Sequence, residues 1–513
     1  MKLTENFNFL KFLEIQAEKY KNRQAVSNDK MNLDYRELLE KSMEFASGLR
    51  NRGLRTGNKV ALLMYNRPEF IIAFFGIIIA GGIVVPINPF FVPEEVEYII
   101  RHSEAAFFIS SQSFQDYIHY IRKNVDDINV IISADCKKEN DRIIPFNNVY
   151  IKRNGYFPET KKTDICAILY SSGTEGNLRG VLMSQENLLS NAIATADMLK
   201  IRETDKMVTF LPLFHPFSLT VGLLMMFAAG GSILLVDNAL PFKKLVMTVF
   251  LKRATLFIGI PEVFKLLSSL KTSRLIKLLN PIRFCISGGS PLPVEVLKSF
   301  ETKFHVPIIE GYGLLEAGPV VSVNPSELDL RKPGSVGKLL NNVKAIILDI
   351  STKKPLKKGS IGEIAVKGDG IMQMYYKDSA ATKNVFFKGW LLTGDLGKFD
   401  DDGYLYIIDR KTGIIFQDGK VIFSREIEEI LHEHPSVEEC AVVGIADRSS
   451  GKKPAAIIVL KQGDKTKPEE IYRFITEKGS PISPDIIEFW DELPRSSTGK
   501  ILKREIIRIL TEK

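Results

Sequence analysis

Residues 70–87, FIIAFFGIIIAGGIVVPI, decide the class of fold, because this stretch contains no polar residue over 18 positions. An apolar stretch of this length is a candidate for a membrane-spanning helix. Its internal order favours another structure, since Gly81 and Gly82 end a helical stretch and the following Ile-Val-Val-Pro has the β-branched composition of a short buried strand. We therefore predict a helix that runs into a core strand of an α/β domain.

Apolar runs alternate with amphipathic helical stretches over about the first 330 residues, which predicts parallel sheets covered by helices. The runs that we assign to strands are 60–64, 83–85, 106–109, 130–132, 165–169, 208–211 and 232–236. From about residue 331 the runs are short and separated by Gly, Asp and Lys, which predicts a small antiparallel sheet or barrel. After Arg410 follows a compact tail with a glycine hairpin at 417–420 and a basic C-terminal helix.

The composition is that of a globular protein and excludes collagen-like, coiled-coil and largely disordered chains. The chain has 513 residues, a net charge of +8, 45% hydrophobic residues and 25% charged residues. Its short basic clusters lack the aromatic residues of a nucleic-acid surface, so we expect no nucleic-acid partner. The four cysteines are far apart and the N-terminus lacks the apolar core of a signal peptide, so we expect reduced thiols and a cytoplasmic protein.

The first segment that carries chemistry is YSSGTEGNLRG at residues 170–180, directly after the apolar run 165–169. Its glycines allow tight turns, and its hydroxyls and free amides can surround phosphate oxygens. Arg179 adds a positive charge that phosphate would pair with. The segment lacks the Gly-Lys-Ser/Thr end of a Walker A loop, and a plain surface turn remains the alternative.

Three further segments supply complementary groups. In EGYGLLEAGP at 310–319, Tyr312 can lie against a base and Glu316 can bind a hard cation. In WLLTGDLG at 390–397, Asp395 can accept hydrogen bonds from ribose hydroxyls, and Arg410 follows fifteen residues later. In PRSSTGKILKR at 494–504, Lys500 can neutralise developing negative charge. Each segment alone also fits a solvated turn or a basic terminal helix.

Together, in this order and spacing, the four segments resemble the adenylate-forming superfamily, most of all its fatty-acid–CoA ligase branch. The resemblance covers nearly the whole chain and includes 57–63, 66–70, 211–215, 287–292 and 426–428. It implies an N-terminal region, 1–409, with two α/β subdomains to about residue 330 and a small β-barrel from about 331. A mobile α+β C-terminal domain, 410–513, would follow, with a hinge near Thr412.

The resemblance implies an ATP-dependent acyl-CoA synthetase that joins a carboxylate to AMP and then passes the acyl group to a thiol. Its cofactors would be ATP, Mg²⁺ and CoA. Lys500, Glu316, Thr174 and His215 would be the catalytic residues. The binding residues that it implies are Ser171, Ser172, Gly173, Thr174, Glu175, Gly176 and Arg179 for the phosphates, Gly288, Gly289, Ser290, Gly311, Tyr312 and Gly313 for adenine, Asp395 and Arg410 for ribose, Thr174 and Glu316 for Mg²⁺, and His215 and Gly419 for the pantetheine arm of CoA.

Two positions depart from the family pattern. Leu315 replaces a threonine whose hydroxyl would bind the α-phosphate, and one such hydrogen bond to a charged group is worth about 1.5–3 kcal/mol. Thr412 stands at the hinge, where relatives usually have Asp or Lys. Neither change forbids the reaction, because a slower enzyme still activates its acid and a hinge needs only accessible backbone angles.

The acid that we favour is a medium- or long-chain fatty acid, with an aryl or alicyclic acid as the alternative. An amino acid is not expected, because amino-acid-activating members of the family that the chain resembles have an Asp here to pair with the substrate amine, and residues 214–218, FHPFS, contain no carboxylate. A ligase that loads a carrier protein and a non-catalytic homologue that binds nucleotide or acyl groups also remain open. So do peripheral membrane contact and the choice between monomer and homodimer.

Overall fold

The computed structural model describes ten ranges of the chain. These ranges are 4–136, 143–152, 156–172, 178–236, 242–270, 280–417, 420–447, 451–478, 483–495 and 501–512. Their helices are α1 Phe9–Tyr20, α2 Tyr35–Asn51, α3 Pro68–Ile79, α4 Pro93–Ser103, α5 Gln115–Asn124, α6 Gln185–Met198, α7 Met225–Ala228, α8 Phe242–Leu251, α9 Pro261–Ser269, α10 Val294–Phe304, α11 Ser379–Val385, α12 Ser424–His432, α13 Pro468–Glu477 and α14 Lys503–Glu512.

Strands β1 to β22 form three of the four sheets, and most of them have four to eight residues. In chain order they are β1 Gln24–Ser27, β2 Asn32–Asp34, β3 Lys59–Leu62, β4 Ile83–Pro86, β5 Ala105–Ser111, β6 Val130–Ala134, β7 Ile143–Pro145, β8 Ile165–Ser172, β9 Leu178–Ser184, β10 Lys206–Thr209, β11 Ser232–Leu235, β12 Leu256–Gly259, β13 Phe284–Ser287, β14 Ile308–Gly313, β15 Val320–Val323, β16 Lys338–Leu339, β17 Val343–Leu348, β18 Gly362–Gly368, β19 Met374–Tyr375, β20 Phe386–Phe387, β21 Trp390–Phe399 and β22 Leu405–Arg410. The strands of the fourth sheet are β23 Ile414–Gln417, β24 Lys420–Phe423, β25 Val437–Asp447, β26 Gly451–Leu460 and β27 Ile486–Phe489.

The first sheet has nine strands in the order β16-β15-β14-β13-β12-β10-β11-β1-β2. Its six central strands, from β14 to β1, are parallel, and the outer strands are antiparallel. Its core includes Phe257, Phe264 and Cys285. Parallel strands with buried connections agree with the α/β prediction.

The second sheet has eight strands in the order β19-β9-β8-β4-β3-β5-β6-β7. The strands β8, β4, β3, β5, β6 and β7 run parallel, whereas β9 and β19 are antiparallel to their neighbours. The stretch 70–87 lies at its centre: the fully buried α3 ends at Ile79, and β4 begins four residues later. Gly81 between them has a φ of +85°, a left-handed conformation that favours glycine.

The prediction of a helix followed by a core strand is therefore confirmed. Strand β4 pairs in parallel with both β3 and β8, so the β-branched residues are buried between two neighbours. Among the described helices, none combines the length and the apolar character that a bilayer span requires.

The remaining two sheets are small. The third contains β17-β18-β21-β20, with β22 on β21, in the stretch predicted to form an antiparallel sheet or barrel. The two-residue strand β19 from the same stretch joins the second sheet instead. The fourth contains β24-β23-β26-β25, with β27 parallel to β26, and it packs with α12, α13 and α14 around two apolar clusters. These elements form the expected small C-terminal α+β domain.

The chain divides into two compact units. The first comprises Met1–Lys344 and Val366–Leu391, and the second comprises Ala345–Ala365 and Leu392–Lys513. The predicted boundary at 409–410 and the predicted hinge at Thr412 fall inside the second unit and stay predictions. Thr412 lies in a 3₁₀ turn, Lys411–Gly413, between β22 and β23.

Candidate functional site

The glycine-rich segment is carried by an antiparallel hairpin of β8 and β9. Ser171 pairs with Arg179, and Ser172, the last residue of β8, pairs with Leu178, the first residue of β9. The predicted phosphate-binding residues Gly173, Thr174, Glu175 and Gly176 lie outside the described residues. The described stems place Ser171 and Arg179 opposite each other at the base of this loop.

Arg179 points its charge to a specific set of neighbours. Its Nε lies 3.8 Å from Oδ2 of Asp378, and its guanidinium carbon lies 5.8 Å from the ring centroid of Tyr375. The side chain is 29% exposed, so a bound anion could still reach it. Because a guanidinium holds phosphate oxygens in a fork of N–H donors, Arg179 is chemically suited to pair with a phosphate.

The predicted adenine-binding residues lie on neighbouring parallel strands. Ser287 at the end of β13 pairs with Glu310 in β14, so the loop with Gly288, Gly289 and Ser290 lies beside the end of β14 with Gly311, Tyr312 and Gly313. The carboxyl ends of parallel strands are where α/β sheets bind ligands. The structure therefore brings these six residues to one edge of the first sheet, and their role in binding adenine stays a prediction.

Two of these glycines are required by close packing. A Cβ on Gly313 would lie 1.9 Å from the carbonyl oxygen of Pro319, and a Cβ on Gly288 would lie 2.8 Å from the ring of Phe217. The second contact also brings the residues around His215 to this edge. Tyr312 between the glycines is half-buried.

His215 precedes a buried π-helical segment, Ser218–Leu224. The imidazole is only partly exposed, and burial lowers its pKa to about 4. The backbone N–H of Phe217 donates to Nδ1 over 3.3 Å, which fits a neutral ring protonated on Nε2. A neutral imidazole here is suited to packing and hydrogen bonding rather than to holding an anion.

Glu316 lies in a 3₁₀ turn, Leu315–Ala317, directly after Leu315. The hydroxyl of Tyr375 donates to Oε1 of Glu316 over 2.8 Å, and the backbone N–H of Met372 donates to the Glu316 carbonyl over 2.9 Å. Among the described residues, no group of three or more His, Cys, Asp or Glu side chains could hold a metal ion. One carboxylate still fits Mg²⁺, because Mg²⁺ is often bound by one or two carboxylates together with substrate phosphates and water.

Sequence reasoning missed Tyr375. This residue is 6% exposed, and burial next to Glu316 raises the pKa of its phenol, so the phenol remains a hydrogen-bond donor. It lies 59 residues from Glu316 and 196 residues from Arg179, and no local pattern links them. The only sequence signal is a polar aromatic cluster, YYKD at 375–378, after a glycine turn.

The two residues predicted to bind ribose contact each other. Asp395 in β21 and Arg410 in β22 are direct cross-strand partners, and Nε of Arg410 lies 3.0 Å from Oδ1 of Asp395. Asp395 is 4% exposed, and its backbone N–H binds the hydroxyl of Thr393, which in turn donates to the Ile364 carbonyl. The carboxylate is therefore fixed while the guanidinium remains exposed.

The loop with Lys500 lies outside the described residues, but both of its stems are held. Arg495 and Ile501, on either side of it in sequence, form an antiparallel bridge. On the far side, Nζ of Lys503 lies 2.7 Å from Oε1 of Glu428 and donates to the hydroxyl of Ser424 over 2.9 Å. Burial raises the pKa of Glu428, and Lys503 opposes this by favouring the charged carboxylate.

A second residue that the sequence did not identify fixes the chain around the predicted hinge. Oδ2 of Asp409 accepts hydrogen bonds from the hydroxyl of Ser424 and the backbone N–H of Arg425, at 3.0 and 3.2 Å. Asp409 therefore caps α12 from a distance. Gly413 fits closely, because a Cβ there would lie 2.5 Å from Oδ1 of Asp409. Gly419, which was predicted to contact the pantetheine arm, lies outside the described residues, between Gln417 and Lys420 in the sequence.

Comparison with known proteins shows the family of this chain. The model of the AMP-binding enzyme family matches residues 13–376, and that of the AMP-binding enzyme C-terminal domain matches 426–500. A long-chain-fatty-acid–CoA ligase of Bacillus subtilis (strain 168) is 30% identical over 97% of this chain and 93% of its own length. The 4-coumarate–CoA ligase 1 of Petroselinum crispum is 31% identical over 91% of this chain and 87% of its own.

Among solved structures, ATP-bound MatB from Rhodopseudomonas palustris superposes with a TM-score of 0.89 at 26% identity, over 98% of this chain and 99% of that one. The match extends through both units, and it includes the small C-terminal domain. The chain thus belongs to the AMP-binding enzymes, the adenylate-forming superfamily that its four motifs predicted.

Proposed function

We propose that this chain is an AMP-forming acid–thiol ligase that activates a medium- or long-chain fatty acid and transfers it to CoA. The observation that carries the proposal is the hydrogen bond from Tyr375 to Glu316. Tyr375 belongs to β19, which pairs with β9, the strand that leaves the glycine-rich loop. The carboxylate suited to a metal and Arg179, suited to phosphate, therefore lie against the same side chain, which supports an ATP site.

The first half-reaction would join the carboxylate of the acid to the α-phosphate of ATP and release pyrophosphate. Both reactants are anions, so positioning and neutralisation of charge would carry the catalysis. Arg179 and the hydroxyls of the loop would bind the β- and γ-phosphates, Tyr312 would stack on adenine, and Asp395 would accept hydrogen bonds from the ribose. Lys500 would lie between the carboxylate and the α-phosphate.

Mg²⁺, held by Glu316 and Thr174, would neutralise charge on the phosphates when it is bound. In the second half-reaction, the thiolate sulfur of CoA would form a bond to the acyl carbon, and AMP would leave with the oxygen that had linked it. The pantetheine arm would pass His215 and the turn with Gly419. The neutral state of His215 suits this position, because it adds no charge beside a thiolate nucleophile.

The choice of a fatty acid rests on residues 214–218, which carry no carboxylate for a substrate amine, and on the similarity to long-chain-fatty-acid–CoA ligases. Met225 and Met226, which follow the π-helical segment, are fully buried, so the proposal does not depend on them as pocket residues. Similarity to a 4-coumarate–CoA ligase keeps an aryl acid as the second candidate substrate. A cytoplasmic location would suit the reduced thiols that the sequence predicts.

Pyrophosphate release tests the proposal. The purified chain is incubated with ATP, Mg²⁺ and each member of a panel of saturated fatty acids, aryl acids and alicyclic acids, with and without CoA. We expect pyrophosphate release with medium- and long-chain fatty acids, and a thioester product only when CoA is present. Pyrophosphate release with aryl acids alone would identify an aryl acid, and not a fatty acid, as the substrate. Release without thioester formation would indicate a carrier protein as the acceptor. No release with any acid would contradict the ligase proposal.

A further inference from the structure

The side chain of Tyr375 touches two groups that the ligase proposal assigns to ATP. Its hydroxyl donates to Oε1 of Glu316 over 2.8 Å, and the guanidinium of Arg179 lies over its ring at 5.8 Å. No step of the mechanism above uses Tyr375. A buried tyrosine needs a partner for its hydroxyl, and a carboxylate is a strong acceptor, so the contact itself stabilises the fold.

The backbone holds Tyr375 firmly. It pairs with Val181 of β9, its N–H donates to the hydroxyl of Thr382 over 3.0 Å, and the next N–H, of Tyr376, donates to the Gly180 carbonyl over 2.7 Å. The ring is 6% exposed. Glu316, in contrast, is partly exposed at the end of a short turn. The buried tyrosine therefore orients the partly exposed carboxylate.

Oxygen geometry decides what this contact leaves free. An ionised carboxylate has about four acceptor sites on its two oxygens, and the phenol occupies one of them on Oε1. Among the described residues no other side chain donates a hydrogen bond to Glu316, so Oε2 is left for a cation. Hydrogen-bonded partners that orient a metal-binding carboxylate typically change metal affinity about 10- to 100-fold when they are removed.

We propose that Tyr375 is a positioning residue that holds Glu316 in the orientation that binds the Mg²⁺ of MgATP. This inference rests on the proposed function. It also explains why a two-residue strand from a distant segment joins the edge of the second sheet beside the glycine-rich loop. Tyr375 fixes the orientation of the carboxylate relative to the loop, and it does not contact the reacting atoms.

The substitution Tyr375→Phe separates this role from packing, because it removes the hydroxyl and keeps the ring against Arg179. Binding of ATP to the purified full-length chain is measured by calorimetry, once with Mg²⁺ and once with EDTA. In the wild type, Mg²⁺ should strengthen ATP binding. In Tyr375→Phe this strengthening should fall at least about tenfold, while binding in EDTA stays near its wild-type value.

Tyr376→Phe is the matched control. The neighbouring hydroxyl donates to Glu104 over 3.2 Å at an exposed site, so its loss should leave the effect of Mg²⁺ unchanged. Glu316→Gln should abolish the strengthening by Mg²⁺, and adding Tyr375→Phe to Glu316→Gln should reduce it no further, because both changes act through one carboxylate.

Several outcomes would overturn the inference. An unchanged effect of Mg²⁺ in Tyr375→Phe, or equal losses with Mg²⁺ and with EDTA, would show that the hydroxyl does not act on the metal. A wild type that binds ATP equally under both conditions would show that Glu316 does not bind the Mg²⁺ of MgATP. The pyrophosphate assay would still test the ligase proposal separately. A wild type that does not bind ATP at all would contradict both.

Discussion

The two units hold their candidate site residues by different means. In the first unit, Gly313 and Gly288 lie at the ends of parallel strands where packing leaves no room for a side chain, and Glu316 is held by a backbone hydrogen bond and a phenol. In the second unit, charged pairs do this work: Asp395 with Arg410, and Glu428 with Lys503.

This difference distinguishes residues that are held by the fold from residues that are held by single partners. Residues fixed by strand ends form a preorganised surface, which suits the binding of a nucleotide. Residues fixed by ion pairs depend on a few contacts that single substitutions can remove. The four predictions below test this contrast.

The largest effect should come from Lys500→Ala. Removing a charge that stabilises the transition state typically slows the reaction about 100- to 1,000-fold, so acid-dependent pyrophosphate release should nearly vanish. Affinity for ATP, measured by calorimetry, should change little, because the other nucleotide contacts remain. Lys465→Ala on an exposed loop is the control. Loss of ATP binding without loss of the rate per bound complex would contradict the role of Lys500.

Asp395→Asn should weaken ATP binding about 100-fold, because two hydrogen bonds from ribose hydroxyls lose their charged acceptor and each is worth about 1.5–3 kcal/mol. The variant should also lose the ability to distinguish ATP from 2′-deoxy-ATP, which the wild type should bind more weakly. Asp401→Asn, at an exposed turn of the same sheet, should behave as the wild type does. Discrimination that survives in Asp395→Asn would exclude a ribose contact.

His215 should make the first unit sensitive to acid. Burial lowers the pKa of His215 to about 4, against about 6.5 in an unfolded chain, so the folded state disfavours the proton. Its contribution to stability is full above pH 6.5 and is lost as the pH falls towards 4, which amounts to about 2 kcal/mol between pH 6.5 and 4.5.

Denaturant unfolding of the wild type and of His215→Gln at these two pH values measures that contribution. The loss of unfolding free energy between them should be smaller in His215→Gln by about 2 kcal/mol. His119→Gln, at an exposed position, should match the wild type. Equal pH dependence in His215→Gln and the wild type would show that the imidazole is not desolvated.

Leu315→Thr should give the smallest change, a gain of about tenfold in the rate of pyrophosphate release. The threonine hydroxyl would restore one hydrogen bond to the α-phosphate, in the turn that presents Glu316. Leu315→Val has nearly the shape of threonine without its hydroxyl and is the matched control. A gain that is equal in both variants would assign the effect to size rather than to the hydroxyl.

The sequence predicted the elements of the fold where the signal is local. The apolar order of residues 70–87 correctly gave α3 and β4, and the alternation of runs gave the parallel sheets. The two-residue strands β16 and β19 could not be predicted, because two residues carry no periodicity and their pairing depends on distant partners.

The same limit applies to the candidate site. Asp395 and Arg410 were predicted from their motif, and the structure pairs them across two neighbouring strands. The contacts of Tyr375 with Glu316 and of Asp409 with Ser424 were not predicted, because each joins two segments that are separate in sequence and meet only in the folded chain. The roles of all the candidate site residues, including Thr174, Lys500 and Gly419, stay predictions.

One isotope measurement tests adenylation most directly. A fatty acid labelled with ¹⁸O in both carboxylate oxygens is converted to its CoA thioester in the presence of ATP, and the released AMP is analysed by mass spectrometry. Because a carboxylate oxygen would bind the α-phosphorus and stay there when the thiolate takes the acyl group, each AMP should contain one ¹⁸O. Thioester formation with unlabelled AMP would contradict an acyl-AMP intermediate.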